Sequence, residues 1–219
     1  MAGPLSTVGR RSALSYGLDA SKSSEETHGG ATHAMRVIGG LARGRRLQAP
    51  RGRRTRPTSD YLREVVFDLL GQQVPGRNFL DLYAGTGAVG IEALSRGAAR
   101  AVFVEQDRSA IGALRRNLDA SGFLDRATVL QMDVLRYLRR PATEPGRFHL
   151  IFLDPPYGQV NVARIVSLIS TRGVLEPGGL AILERSAKSP PILVPDDLPR
   201  VRAIRRGDSV LELYRREGG

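Results

Sequence analysis

From Asn78 onward, apolar and polar positions fall into two periods. Short apolar runs bounded by turn residues predict strands, and runs with helical spacing between them predict helices. Strands are predicted at Asn78–Tyr83, Ala101–Glu105, Ala127–Gln131, Leu150–Leu153 and Leu180–Glu184. Helices are predicted at Ala88–Arg96, Ser109–Ser121, Val134–Arg139 and Val162–Ser170. Val201–Arg206 and Val210–Tyr214 read as a hairpin turning at Gly207-Asp208. Strands alternating with helices mean a mostly parallel sheet covered on both faces. The expected architecture is a seven-stranded, Rossmann-like α/β domain over residues 76–219, with an antiparallel C-terminal hairpin.

Before that domain the pattern changes. Residues 1–34 are rich in Ser, Gly, Ala and Thr without sustained hydrophobic period, and read as a disordered leader. Residues 35–75 read as a basic N-terminal arm with short strands at Arg36–Ile38 and Arg45–Gln48. A helix follows Pro57, capped by Thr58, Ser59 or Asp60, with Leu62, Val65, Val66, Leu69 and Leu70 as its apolar face and Gly71 at its end.

Charge sharpens the picture of the arm. The chain of 219 residues carries a net charge of +11, and Lys22 and Lys188 are its only lysines. A strongly basic domain commonly meets a polyanion, because phosphate contacts release condensed counterions. Arg43, Arg45, Arg46, Arg51, Arg53, Arg54, Arg56 and Arg63 are the candidate RNA contacts, although Arg63 and Glu64 can equally form a surface helix pair. With no cysteine there is no thiolate metal site, and His28, His33 and His149 lack a convincing ligand spacing, so no metal is expected. No apolar run approaches the roughly 20 residues of a membrane span. A cytoplasmic monomer is the expectation.

Candidate chemistry begins where the first strand meets the first helix. Asp81-Leu82-Tyr83-Ala84-Gly85-Thr86-Gly87-Ala88-Val89-Gly90 places glycines at the dinucleotide spacing, and Glu105 ends the next strand, where an acid can hold ribose hydroxyls. The loop alone fits a nicotinamide cofactor or S-adenosylmethionine. Asp81 favours the second. An acid aimed into the loop repels a pyrophosphate, whereas the ammonium and sulfonium of S-adenosylmethionine are cations. Asp133, past the third strand, is placed to accept a hydrogen bond from the adenine amino group or to cap the helix starting at Val134. The expected cofactor residues are Asp81, Tyr83, Ala84, Gly85, Thr86, Gly87, Glu105, Gln106, Asp133 and Val134.

A second motif, Asp154-Pro155-Pro156-Tyr157, ends the Leu150–Leu153 strand. Ligands of open parallel sheets bind beyond the carboxyl ends of the strands, at the switch point. An exocyclic base amine is a poor nucleophile because its lone pair is delocalised. Asp154 can accept one of its N–H groups and the Pro155 carbonyl the other, favouring the more tetrahedral nitrogen of the transition state. The two prolines stiffen the loop, and Tyr157 can stack on the base. These four residues are the catalytic candidates.

Together these segments resemble the RsmD family of bacterial small-subunit ribosomal RNA guanine-N2 methyltransferases. The resemblance spans Met35 to Arg216. It rests on Met35-Arg36-Val37-Ile38-Gly39-Gly40, the Arg56-Pro57-Thr58-Ser59-Asp60 segment with its trailing Arg63-Glu64, Asp81 to Ala98, Val104-Glu105-Gln106-Asp107 and Asp154 to Tyr157. Ser59 stands where the family usually has a second Thr, and residues 1–34 lie outside the family pattern. The resemblance implies methylation of a guanine of 16S rRNA in an assembled or nearly assembled small subunit. It also implies cofactor contacts for Asp81, Gly85, Gly87, Glu105 and Asp133, and amine contacts for Asp154 to Tyr157. A DNA amino methyltransferase acting on adenine N6 or cytosine N4 is the alternative, disfavoured because no separate target-recognition domain is evident. A nicotinamide oxidoreductase is disfavoured by Asp81, and a non-catalytic RNA-binding protein by the intact loop and motif.

Overall fold

The structure is a computed structural model that describes residues 35–49, 60–140, 147–156, 158 and 161–218. Arg51, Arg53, Arg54, Arg56, Thr58, Ser59 and Tyr157 lie outside the described residues.

The order of elements is α1 (Asp60–Leu70), β1 (Asn78–Leu82), α2 (Ala88–Ser95), β2 (Arg100–Glu105), α3 (Arg108–Ser121), β3 (Ala127–Gln131) and α4 (Val134–Leu138). They continue with β4 (Phe148–Leu153), α5 (Val162–Thr171), β5 (Leu175–Ser186), β6 (Arg200–Arg206) and β7 (Ser209–Arg215). The seven strands form one sheet in the order β3-β2-β1-β4-β5-β7-β6. β1 to β5 pair in parallel, and β7 runs against both β5 and β6. The chain starts in the middle, moves outward one way, then returns to β4 on the other side of β1. That reversal is the switch point, and β1 and β4 are the strands that flank it.

Period-two alternation sends successive side chains to opposite faces. Phe79, Phe103, Leu150, Phe152, Leu211 and Leu213 face a core built with α1, α2 and α3. Leu80, Leu82, Val104, Ile151, Leu153 and Tyr214 face the core beneath α4 and α5. β5 begins five residues before the predicted Leu180. Glu176-Pro177-Gly178-Gly179, outside the predicted strand, is a register irregularity inside the observed one, with Phe148 paired to Leu175 and Leu150 to Leu180.

The two short strands expected in the arm reduce to a single bridge between Arg36 and Arg46. What holds the arm is its docking on α2, whose eight residues are all buried. Glu92 is fully buried and accepts hydrogen bonds from the Ile38 and Gly39 amides at 2.7 and 2.8 Å and from Arg96 Nε at 2.7 Å. Ser95 Oγ accepts from the Ala42 amide and donates to the Gly39 carbonyl. A buried carboxylate survives only with such partners. Glu92→Gln keeps the shape but loses an acceptor oxygen and the charge. It is expected to cost about 2 kcal/mol, read as a lower urea midpoint; an unchanged midpoint would remove Glu92 from this role.

Arg63 corrects the expectation for the helix after Pro57. The buried face of α1 is Arg63, Val66, Phe67 and Leu70. Arg63 is 0% exposed and its Nη2 donates to the Arg36 carbonyl and the Asp60 carboxylate. Its guanidinium therefore ties α1 to the arm and is not presented to a phosphate. Among the described residues, no helix is long and apolar enough to cross a membrane.

Candidate active site

The glycine loop leaves β1 through Tyr83, the one non-glycine among the described residues with positive φ, at 64°. A left-handed conformation costs about 1–2 kcal/mol for such a residue, and it turns the chain sharply off the strand. Gly87 has φ 79°, and a Cβ there would lie 2.1 Å from Leu114 Cδ1. A Cβ on Gly90 would lie 2.2 Å from the Phe103 ring and 3.0 Å from Asp81 Oδ2. Glycine at 87 and 90 therefore lets the first turn of α2 sit directly on β1, β2 and α3. That close approach brings the Gly90 amide to within 2.9 Å of Asp81 Oδ2.

Three carboxylates converge on this loop. Asp81 has the parity of Phe79, Glu105 that of Phe103, and Asp154 follows β4 with the parity of Phe152, so all three lie on the α2 face of the sheet. Leu82 is registered with Leu153, and the Asp154 amide donates to the Leu82 carbonyl at 3.4 Å. Burial pushes the Asp81 carboxyl up to about 7; the Gly90 amide opposes this, and the Asp154 and Glu105 charges add to it. The two predicted acids at the tips of β1 and β4 thus act on each other electrostatically.

Glu105 Oε2 accepts from the Gly85 amide at 2.9 Å, and its Oε1 accepts from the Gln106 and Asp107 amides, each at 2.8 Å. Tyr83 lies among these groups. Its hydroxyl is pushed up to about 12 by burial, then by the carboxylates of Asp133 and Glu105. Asp133 is exposed and caps α4, its Oδ1 accepting from the Arg136 amide at 2.9 Å. Ala84 and Val134 are buried, while Gly85 and Thr86 are half-buried. A Cβ on Gly85 would have no neighbour nearer than the Tyr83 carbonyl oxygen at 4.0 Å, so the loop is open on that side. A cluster of acids whose charges repel, beside an open glycine loop, fits a ligand that is cationic and carries a ribose. S-adenosylmethionine meets that description.

At the other tip, Asp154 is half-buried, Pro155 buried and Pro156 exposed. Arg43, Arg45 and Arg46 are exposed in the arm. The neighbouring Leu41 and Ala42 amides bond to Ser95, so this part of the arm sits at the far end of α2, about 12 Å along the helix from the glycine loop. Asn117 carries no signal in the sequence reading. It is buried, exchanges hydrogen bonds with the backbone of Gln48 through Oδ1 and Nδ2, and donates to the Thr86 carbonyl at 3.0 Å. It joins the arm to the cofactor loop. No group of three or more metal-ligating side chains occurs among the described residues.

Solved structures share this fold. The Escherichia coli protein yhhF matches with a TM-score of 0.75 and 31% identity over 85% of this chain and 99% of that one. A Thermus thermophilus protein matches with a TM-score of 0.69 and 34% identity over 81% and 97%. An RNA methyltransferase of Salinibacter ruber, crystallised with S-adenosyl-L-homocysteine, shares the fold at 17% identity and a TM-score of 0.56. Strand order, reversed β7, glycine loop and acid-tipped strands define a class I methyltransferase that uses S-adenosylmethionine. The chain belongs to the family described as conserved hypothetical protein 95, whose model matches residues 35–215. Its relatives include YlbH of Bacillus subtilis, 36% identical over 84% of this chain and all of that one. They also include the proteins named ribosomal RNA small subunit methyltransferase D of Haemophilus influenzae and Escherichia coli. These are 32% and 33% identical, over 82% and 84% of this chain and 93% and 90% of theirs.

Proposed function

We propose that this protein transfers a methyl group to the exocyclic N2 amine of a guanine in 16S rRNA of the small ribosomal subunit. The observation that carries the reading is the pair of acids at the switch point, Asp81 on β1 and Asp154 after β4, on one face and in electrostatic contact. The names of the Haemophilus and Escherichia relatives support ribosomal RNA as the substrate. In this reading the enzyme works in the cytoplasm, where a ribosomal substrate is met.

In this reading the bound cofactor supplies an activated methyl group. Asp81 balances positive charge at the glycine loop, Glu105 holds the ribose hydroxyls, and Asp133 receives the adenine amino group with whatever acceptor capacity its capping bond leaves. Ala84, Thr86, Gln106 and Val134 border the same loop and strand ends. Asp154 accepts one N–H of the target amine and the Pro155 carbonyl the other. Both acceptors grow stronger partners as the nitrogen becomes tetrahedral and positive, which lowers the barrier selectively. Pro156 fixes the turn, and Tyr157 stacks on the extruded base. Removing a base from its stack costs a few kcal/mol, which phosphate contacts by the arm offset.

The test is direct. Small subunits lacking the modification are incubated with enzyme and labelled cofactor, and the modified nucleoside is mapped by mass spectrometry. N2-methylguanine at one site in 16S rRNA is expected. Label appearing only in added DNA, as N6-methyladenine or N4-methylcytosine, would overturn the reading. Replacing Arg51, Arg53 and Arg54 by Gln is expected to weaken subunit binding and flatten the plot of log affinity against log salt by about 2. An unchanged slope would remove these three from the interface.

A further inference from the structure

The C-terminal hairpin carries a feature that the reaction does not use. β6 is the edge strand, and its sequence Arg200-Val201-Arg202-Ala203-Ile204-Arg205-Arg206 contains four arginines and no acid. Arg200 is committed: with Arg185 and Tyr214 it binds the buried Glu212 carboxylate, at 2.7, 2.9 and 2.6 Å. Arg202, Arg205 and Arg206 are exposed and form no ion pair with another described residue. We propose that Arg202 and Arg206 form a second contact with the phosphate backbone of the substrate RNA, on the nucleotides flanking the target base.

Register places them. β6 and β5 both run antiparallel to β7, so β6 is parallel to β4 and its C-terminal end lies on the rim where Asp154 sits. Leu153 pairs with Leu183, Glu184 with Leu211, and Leu211 with Ile204. Asp154 is therefore level with Ile204, and Arg206 projects two residues further toward the rim. Three strand spacings separate the positions laterally, roughly 14 Å, within the reach of a few nucleotides.

Parity decides the face. Arg202 pairs with Leu213 and Ile204 with Leu211, and both leucines belong to the core on the α2 side. Arg202 and Arg206 thus stand on the face that carries Asp81 and Asp154. Arg205 pairs with Val210 and points to the other face. Two basic side chains on the face of the site, Arg206 at its rim and Arg202 below it, match a polyanion strand that must be held still while one base is turned inward. Charge on an edge strand also deters pairing with other sheets. That role needs charge of no particular face, and so is separable by experiment.

The inference rests on the RNA reading above, and steady-state methylation of unmodified small subunits distinguishes the two failures. For the double variant Arg202→Gln, Arg206→Gln, the KM for subunits is expected to rise about tenfold, with a salt slope shallower by about 1–2. Its kcat and its S-adenosylhomocysteine affinity are expected to stay within twofold of wild type, which also reports an intact fold. Arg202→Lys with Arg206→Lys, which keeps the charge, is expected to restore most of the affinity, and Arg205→Gln to leave KM and slope near wild type. A double variant with wild-type KM and slope would overturn the proposal. So would an Arg205→Gln loss as large as the double variant's, since a face-independent effect is edge protection or bulk charge. Wild-type enzyme that transfers no methyl group to subunit RNA would overturn the RNA reading and this contact together.

Discussion

Asp154→Ala is expected to lower the rate of methyl transfer by about 1,000-fold in a single-turnover assay, with little change in cofactor affinity. The size follows from what the carboxylate supplies. A positioned group that interacts with charge developing in the transition state contributes about 3–4 kcal/mol when removed singly. Asp154 stands at the tip of β4, fixed by the bond from its amide to the Leu82 carbonyl and by the buried Pro155 that follows. Alanine leaves that backbone intact, so the Pro155 carbonyl remains and turnover falls without vanishing. Cofactor affinity has a sign as well. The Asp154 charge helps hold the Asp81 carboxyl high. Its removal lets Asp81 ionise more readily, and S-adenosylhomocysteine should bind as well as in wild type, or slightly better near neutral pH. Calorimetric titration checks the affinity. A variant that turns over at the wild-type rate would remove Asp154 from the chemistry, and one that loses cofactor binding in parallel would make it a cofactor ligand.

The sheet is legible in the sequence because its strands are apolar runs punctuated by glycine and proline, and because the helices between them keep their spacing. The switch point is legible too. Asp81 lies near the end of one apolar strand and Asp154 directly follows another, and period two places them on one face once the strand order is known. Other features are hidden for identifiable reasons. Glu92 and Ser95 are polar positions in a predicted helix with no local sign of what covers them; the arm, folded over α2 from more than fifty residues away, makes them buried acceptors. Arg63 reads as one more cation in a basic segment, but its stem shares the buried face of α1 with Val66 and Leu70. Asn117 has no local signal, since its partners Gln48 and Thr86 are brought together by tertiary packing. In sequence Asp133 fits a cofactor contact and a helix cap equally; the cap is present, and the effect of its charge on Tyr83 places it beside the glycine loop as well.

Asp81 gives the second large effect, expressed in pH. Its carboxyl is raised from 3.8 to about 7, chiefly by burial, with Asp154 and Glu105 adding to the shift against the Gly90 hydrogen bond. A carboxyl with a folded value above its unfolded one binds its proton more tightly in the folded state. The unliganded protein therefore loses stability as pH rises from about 4 to about 7, and the loss is complete above that window. A cation seated in the glycine loop acts in the opposite direction, since it favours the ionised form. Binding of S-adenosylhomocysteine should accordingly release a proton below pH 7, and its affinity should fall by about tenfold for each pH unit below that point. Asp81→Asn separates the two effects. The amide oxygen can still accept from Gly90, so the loop keeps its shape, while the buried charge is gone. The unliganded variant should melt several degrees above wild type at pH 8, yet bind cofactor about 100-fold more weakly there, with no pH dependence between 6 and 8. If wild-type affinity were flat across that range, or the variant bound as tightly as wild type at pH 8, the loop would be recognising its ligand without the Asp81 charge.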